Sequence, residues 1–104
     1  MKYKIFLTEE FKKDFNRCDK SIKERIEKEI DQLEENPYAG KPLSYKFLRE
    51  KKVDNYRFYY LVYEKYVIVL IVGLSKKKDQ QEKIDKIKNL LNEYEEEIKK
   101  KFIF

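Results

Sequence analysis

Apolar positions along this chain recur with two periods, and the switches between them mark its elements. Residues 2–7 alternate, with Tyr3, Ile5 and Leu7 on one face, which predicts a short strand. Thr8 stands where a helix N-cap belongs, with Glu9 and Glu10 in the first turn, where the helix dipole favours acids. Phe11, Phe15 and Cys18 then recur at i, i+4 and i+7, and the pattern breaks at Asp19. Ser21 and Glu24 have capping-box spacing, and Ile22, Ile26, Ile30 and Leu33 form a helical stripe that ends at Asn36-Pro37. Two such helices in succession predict an αα-hairpin covering one side of a sheet.

After the NPYAGKP loop, residues 43–53 predict a strand whose basic positions suit an exposed or edge place. Asp54-Asn55 reads as a hairpin turn. Residues 56–63 are apolar or aromatic on both faces, with Arg57 the single charge. Glu64-Lys65 turns the chain again, and residues 66–74 are a β-branched run of the kind found in central, doubly covered strands. These three strands predict an antiparallel meander. Asp79 and Glu82 open one last helix, with Ile84, Ile87, Leu90, Leu91, Tyr94 and Ile98 as its apolar face. The expected order is β-α-α-β-β-β-α, an α+β domain spanning residues 1–104 without repeat or linker.

Composition narrows the function classes. A chain of 104 residues supports one hydrophobic core, and 41% hydrophobic residues with nine Tyr and seven Phe exclude disorder despite 43% charge. The single cysteine, Cys18, has no partner for a disulfide and reads as a buried small hydrophobe. The N-terminus lacks the apolar core of a signal peptide, and the run 66–72 is far short of the roughly 20 residues that span a bilayer. A cytoplasmic protein is expected. Histidine is absent. That excludes Ser-His-Asp and Cys-His triads, histidine metal sites and two-histidine ribonuclease chemistry. Catalysis must rest on Lys, Arg, Tyr, Asp or Glu, and no cofactor is expected.

Charge then singles out one stretch. Of a net +5, most resides in residues 41–57, where Lys41, Lys46, Arg49, Lys51, Lys52 and Arg57 face only Glu50 and Asp54. A basic segment mounted on rigid strands fits a polyanion: nucleic acid first, an acidic protein second, a membrane surface third. Tyr45, Phe47 and Tyr59 offer rings for base stacking, although aromatics at strand spacing more often build core. Arg57 alternatively serves a structural ion pair with a helix carboxylate. Glu34-Glu35 and Glu95-Glu96-Glu97 read as solvated helix faces.

The element order, the NPYAGKPL loop, the Val53-Asp54-Asn55-Tyr56-Arg57 turn and the VIVLIVG strand together resemble the RelE/ParE toxin superfamily, most closely archaeal RelE-type toxins. The resemblance covers nearly the whole chain and implies the toxin of a type II toxin–antitoxin pair. RelE members cut mRNA in the ribosomal A site, whereas ParE members poison DNA gyrase without being nucleases. By this resemblance Arg57 lies near the scissile phosphate, and Lys52 and Arg49 are catalytic or RNA-contacting cations on the preceding strand. Lys46 and Lys51 are further RNA contacts on that strand, whose faces exchange if its register slips by one residue. The chain departs from the family after the last strand. Leu74-Ser75 replaces a basic pair, and Gln80 and Gln81 stand where a tyrosine is common. Lys76, Lys77 and Lys78 then supply the missing cation.

Cleavage by this route requires the 2′-hydroxyl to lose a proton and attack phosphorus while the 5′-oxygen leaves. Arginine suits the phosphate oxygens, and Lys52 is the best placed lysine for proton transfer. Without histidine, naked RNA should be cut little or not at all, and positioning by the ribosome must supply much of the rate. The implied partners are mRNA, the ribosome and a RelB-like antitoxin that wraps the toxin in a hetero-oligomer, with the final helix and FIF tail among its contacts. Two alternatives stay open: a non-catalytic ParE-like topoisomerase inhibitor, and a catalytically weak RNA- or ribosome-binding relative.

Overall fold

The computed structural model describes the backbone of residues 2–102 and the side chains of residues 2–101. Five strands form one sheet in the order β1-β5-β4-β3-β2: β1 (Lys4–Leu7), β2 (Lys41–Leu43), β3 (Tyr45–Val53), β4 (Tyr56–Tyr63) and β5 (Ile68–Lys76). The meander of β3, β4 and β5 is antiparallel as expected, and β1 adds to β5 in parallel. Helices α1 (Glu9–Asn16) and α2 (Lys20–Gln32) follow β1, and α3 (Gln80–Asn89) and α4 (Leu91–Phe102) follow β5.

Each pair of helices covers one face of the sheet. Phe11, Cys18, Ile22, Ile26, Ile30 and Leu33 pack on Phe58, Tyr60, Val62, Val69 and Ile71. On the other face Ile84, Ile87, Tyr94 and Ile98 pack on Tyr59, Leu61, Leu70 and Val72. Side chains alternate across a strand, so β4 and β5 must be apolar at successive positions to feed both clusters. That is why their sequence shows no alternation.

Four local expectations change. The predicted strand 43–53 begins as two pieces, since Ser44 at φ 73° reverses the chain and folds β2 back onto β3. The basic strand is therefore an inner strand along much of its length, with Lys41 and Pro42 on the edge. Helix α2 starts two residues earlier than Ser21 predicts, because the Asp19 carboxylate accepts the Ile22 amide at 3.0 Å. Asp79 makes no side-chain cap, and a 3-10 turn over Lys77–Asp79 leads into α3 instead. The last helix is divided at Leu90, whose amide turns back to the Ile87 carbonyl. The adjacent pair Leu90-Leu91 shifts the apolar stripe there, and both halves still enter one cluster. Thr8 caps α1 as expected, accepting the Phe11 amide at 3.2 Å. Of the FIF tail, the Phe102 side chain and residues 103–104 lie outside the described residues.

Beyond the end of β1, α1 covers the exposed edge of β5. The Thr8 amide donates to the Ile71 carbonyl at 3.0 Å, and ion pairs then tie α1 to α3. Lys83 reaches Glu10 at 3.2 Å and Asp14 at 3.5 Å, and Lys86 reaches Glu10 at 2.7 Å. Burial pushes the Glu10 carboxyl up, but hydrogen bonds from Lys86 and Lys83 outweigh it and hold it below the usual 4.5. A carboxyl lowered on folding stabilises the protein above its unfolded value, and that contribution disappears as pH falls through the folded value. Glu10→Gln should therefore lower the thermal midpoint at pH 7, by under about 1 kcal/mol given the solvent exposure of the pair. In melts followed from pH 7 to 3, the difference from wild type should close at the acid end.

Candidate active site

A polar cleft of about 400 Å³ opens where the loop before β2 meets the ends of β3 and β4 and the start of α3. Gly40, Glu50, Lys51, Lys52, Arg57 and Gln80 line it, with Ala39 and Lys41 at its margin. Strand pairing assembles its floor. Lys52 stands opposite Arg57 on β3 and β4, and Arg57 stands opposite Ser75 on β5. Glu50, two residues before Lys52, shares that face and stands opposite Tyr59.

A bulge makes this alignment possible. Tyr59 pairs with Gly73 and Tyr60 with Ile71, so the ladder skips Val72. One inserted residue exchanges the faces of everything beyond it. Leu74 is thereby sent into the α1–α2 core, and Ser75 is sent to the cleft side beside Arg57. There the Ser75 hydroxyl meets the Tyr59 hydroxyl at 2.8 Å. Burial raises the Tyr59 phenol above its usual value, and Glu50 adds to this while Ser75 and Arg57 oppose it. Tyr59 is completely buried and is no stacking platform.

Arg57 is the centre of the cleft. Its residue is 8% exposed, yet no hydrogen bond or ion pair joins its side chain to another described residue. The helix-carboxylate ion pair weighed from the sequence is not formed. A guanidinium withdrawn from water without a counterion is costly, and an anionic ligand would repay the cost. Glu50, also 8% exposed, accepts a 2.7 Å hydrogen bond from the Gln80 amide. Charge counting along the basic strand missed Glu50, because it reads there as one acid diluting many cations. Only the period-2 spacing Glu50–Lys52, taken with Arg57 across the turn, points to it.

The other expected site residues go elsewhere. Lys51 lines the cleft but leans toward α2, with its ammonium 3.7 Å from Glu29. Arg49 lies on the opposite face of β3, where it donates to the carbonyls of Gly40 at 2.9 Å and Lys46 at 2.8 Å. It also covers the Tyr38 ring with Lys46, at 5.2 and 5.0 Å. Burial, followed by the hydrogen bond donated to Glu64, pushes the Tyr38 phenol up to about 12. Lys76 pairs across the sheet with Tyr56 and lies 5.8 Å from its ring, on the α1–α2 side and away from Arg57. The Lys77 amide is tied to the Asn55 carbonyl beside the β3–β4 turn, and Lys78 is exposed in the same 3-10 turn.

A second hollow, of about 390 Å³, is apolar and lies between the start of β3 and α4. The exposed rings of Tyr45 and Phe47 stack at 5.0 Å on its wall, with Leu61, Tyr63 and Leu91 beside them. It holds no basic group.

A model of the ParE toxin of type II toxin–antitoxin systems, parDE, matches residues 5–81, which include all of β2 to β5, β1 from its second residue, and the cleft residues named above. The chain belongs to this family, within the RelE/ParE superfamily. RelE toxins of known structure share the fold. An arginine double mutant of Escherichia coli RelE in the free state superposes with a TM-score of 0.70 at 21% identity, over 84% of this chain and 99% of that one. The RelE–RelB complex of the archaeon Pyrococcus horikoshii gives 0.63 at 21% identity, over 74% and 97%. The RelBE2 toxin–antitoxin complex of Mycobacterium tuberculosis gives 0.66 at 18% identity, over 74% and 100%. No curated protein sequence matches the chain.

Proposed function

We propose that this RelE/ParE toxin acts in the cytoplasm by ribosome-dependent cleavage of mRNA in the A site and is neutralised by a RelB-like antitoxin. The observation that carries the reading is Arg57, a nearly buried guanidinium that makes no ion pair or hydrogen bond with another described residue, in a cleft it shares with Lys52, Lys51 and Glu50. Its planar fork fits two non-bridging phosphate oxygens, and the charge on them grows as the bond to the 2′-oxygen forms. Lys52 across the strand pair adds a second cation. Orientation of the mRNA by the ribosome would contribute about 7–11 kcal/mol toward the barrier, which compensates for the missing imidazole.

Primer extension on a defined mRNA, with and without programmed ribosomes, tests this directly. Cuts confined to A-site codons and dependent on ribosomes are expected. An intact message, in an assay where another RelE toxin cleaves, would overturn the nuclease reading. A second reading draws on the family model itself, a ParE toxin, and on Leu74-Ser75 where RelE toxins carry cations. Inhibition of gyrase supercoiling would then replace mRNA cleavage.

The antitoxin is expected to be acidic, to complement a toxin of net charge +5, and to seat apolar side chains in the hollow of Tyr45, Phe47 and Leu91. Exposed aromatics on such a wall are typical binding anchors. Phe47→Ala should weaken antitoxin binding by about 2 kcal/mol or more in calorimetry. Ribosome-dependent cleavage by the free toxin should be unchanged, because Phe47 does not line the cleft.

A further inference from the structure

We propose that Glu50 is the general base of the cleavage, a role that rests on the nuclease reading above. Three observations converge on it. The residue is 8% exposed and lines the cleft together with Lys52 and Arg57. No lysine or arginine among the described residues pairs with it, although Arg49 and Lys51 are its chain neighbours and Lys52 and Arg57 line the same cleft. A purely structural carboxylate at this depth would take such a partner. Its one side-chain hydrogen bond, from Gln80 at 2.7 Å, engages Oε1 and leaves acceptor capacity on Oε2. Gln80 sits at the first turn of α3, so the helix fixes the orientation of the carboxylate.

The register supplies the rest of the constellation. Glu50 and Lys52 project from one face of β3 about 6.5–7 Å apart along the strand, and Arg57 flanks Lys52. That spacing accommodates a phosphodiester between base and acid. Glu50 accepts the 2′-hydroxyl proton as the 2′-oxygen bonds to phosphorus. The P–O5′ bond breaks with its electron pair on O5′, which takes a proton from the Lys52 ammonium. Arg57 holds the non-bridging oxygens. The products are a 2′,3′-cyclic phosphate and a 5′-hydroxyl, and solvent then takes the proton from Glu50 and restores one to Lys52. No other reactant is needed.

The test is single-turnover cleavage of ribosome-bound mRNA across a pH series, with ribosome binding measured in parallel. Glu50→Gln keeps the shape and can still accept from Gln80, so a structural or spacing role would survive it. As a base it should lose about 10²- to 10⁴-fold in rate at unchanged ribosome affinity. The acidic limb of unit slope in the wild-type profile should flatten. Glu50→Asp keeps a carboxylate on a shorter stem and should cleave faster than Glu50→Gln while retaining the slope. Should Glu50→Gln fail to fold, the wild-type slope and the Glu50→Asp rate still decide. Cleavage by Glu50→Gln at or above the Glu50→Asp rate, or a wild-type profile without an acidic limb, would overturn the assignment while leaving the nuclease reading intact. Ribosome-dependent cleavage absent from the wild type would overturn both.

Discussion

Arg57→Met should lower ribosome-dependent cleavage by about 10²- to 10³-fold and leave the fold at least as stable as wild type. The two halves of this expectation have one cause. The guanidinium has given up most of its water, at 8% residue exposure, without gaining a hydrogen bond or ion pair among the described residues. Replacing a buried charge that makes no direct ion pair by an unbranched apolar chain of similar length removes a desolvation cost. The same replacement removes the donors proposed to hold the phosphate. Arg57→Lys keeps the charge but loses the planar fork, so its activity should fall between the two. Single-turnover cleavage and thermal melts on the same preparations check the pair of effects. A Met variant that melted well below wild type would show instead that Arg57 holds the sheet together. Loss of activity would then say nothing about phosphate.

Gly40→Ala should be the most damaging single-methyl change, costing about 1–3 kcal/mol from overpacking. A Cβ at Gly40 would lie 2.5 Å from the Glu50 carbonyl oxygen and 2.7 Å from the Tyr60 hydroxyl. The first of these is backbone in the middle of β3 and cannot step aside. The loop must lift instead. Lifting stretches the 2.9 Å bond from the Gly40 amide to the Tyr60 hydroxyl, and the 2.9 Å bond from Arg49 to the Gly40 carbonyl. The Tyr60 hydroxyl is buried, so losing its partner adds to the cost. For a domain of this size each kcal/mol lowers the midpoint by about 4–8 °C. Cleavage should fall as well, because Gly40 forms part of the cleft wall. Gly73→Ala is the control. Its Cβ would meet the Lys83 stem at 3.3 Å, a flexible chain that can yield, so a change within about 0.5 kcal/mol is expected. Equal losses at both glycines would show that close approach is not what Gly40 provides.

These two positions also divide what could be read along the chain from what could not. Arg57 stood out along the chain as a lone charge inside a run that is apolar on both faces, and its proposed place at the phosphate came from the family resemblance. Gly40 announced only a turn. Its close approach to Glu50 and Tyr60 joins residues far apart in sequence. Arg49 and Lys52 look alike as members of one basic strand, yet they serve different faces. Arg49 fastens the Gly40 loop while Lys52 enters the cleft. Lys76 to Lys78 look like a replacement cation cluster, but cross-strand pairing sets Lys76 over Tyr56.

The sequence by itself determined the α+β class, the element order apart from the breaks at Ser44 and Leu90, the two-sided burial of β4 and β5 and the family resemblance. Those features rest on periodicity, turn residues and composition, which are local and survive without knowledge of contacts. Tertiary structure alone decided which cations converge. That choice depends on strand register, on the bulge at Val72 that exchanges faces between Ile71 and Ser75, and on the loop of Gly40 closing over β3. It also decided that Glu50 and Gln80, 30 residues apart, meet at 2.7 Å in the floor of one cleft. Period-2 geometry makes such outcomes all-or-none. A shift of one residue would carry Lys52 and Glu50 to the α2 face, and no local propensity in the chain reports where that shift falls.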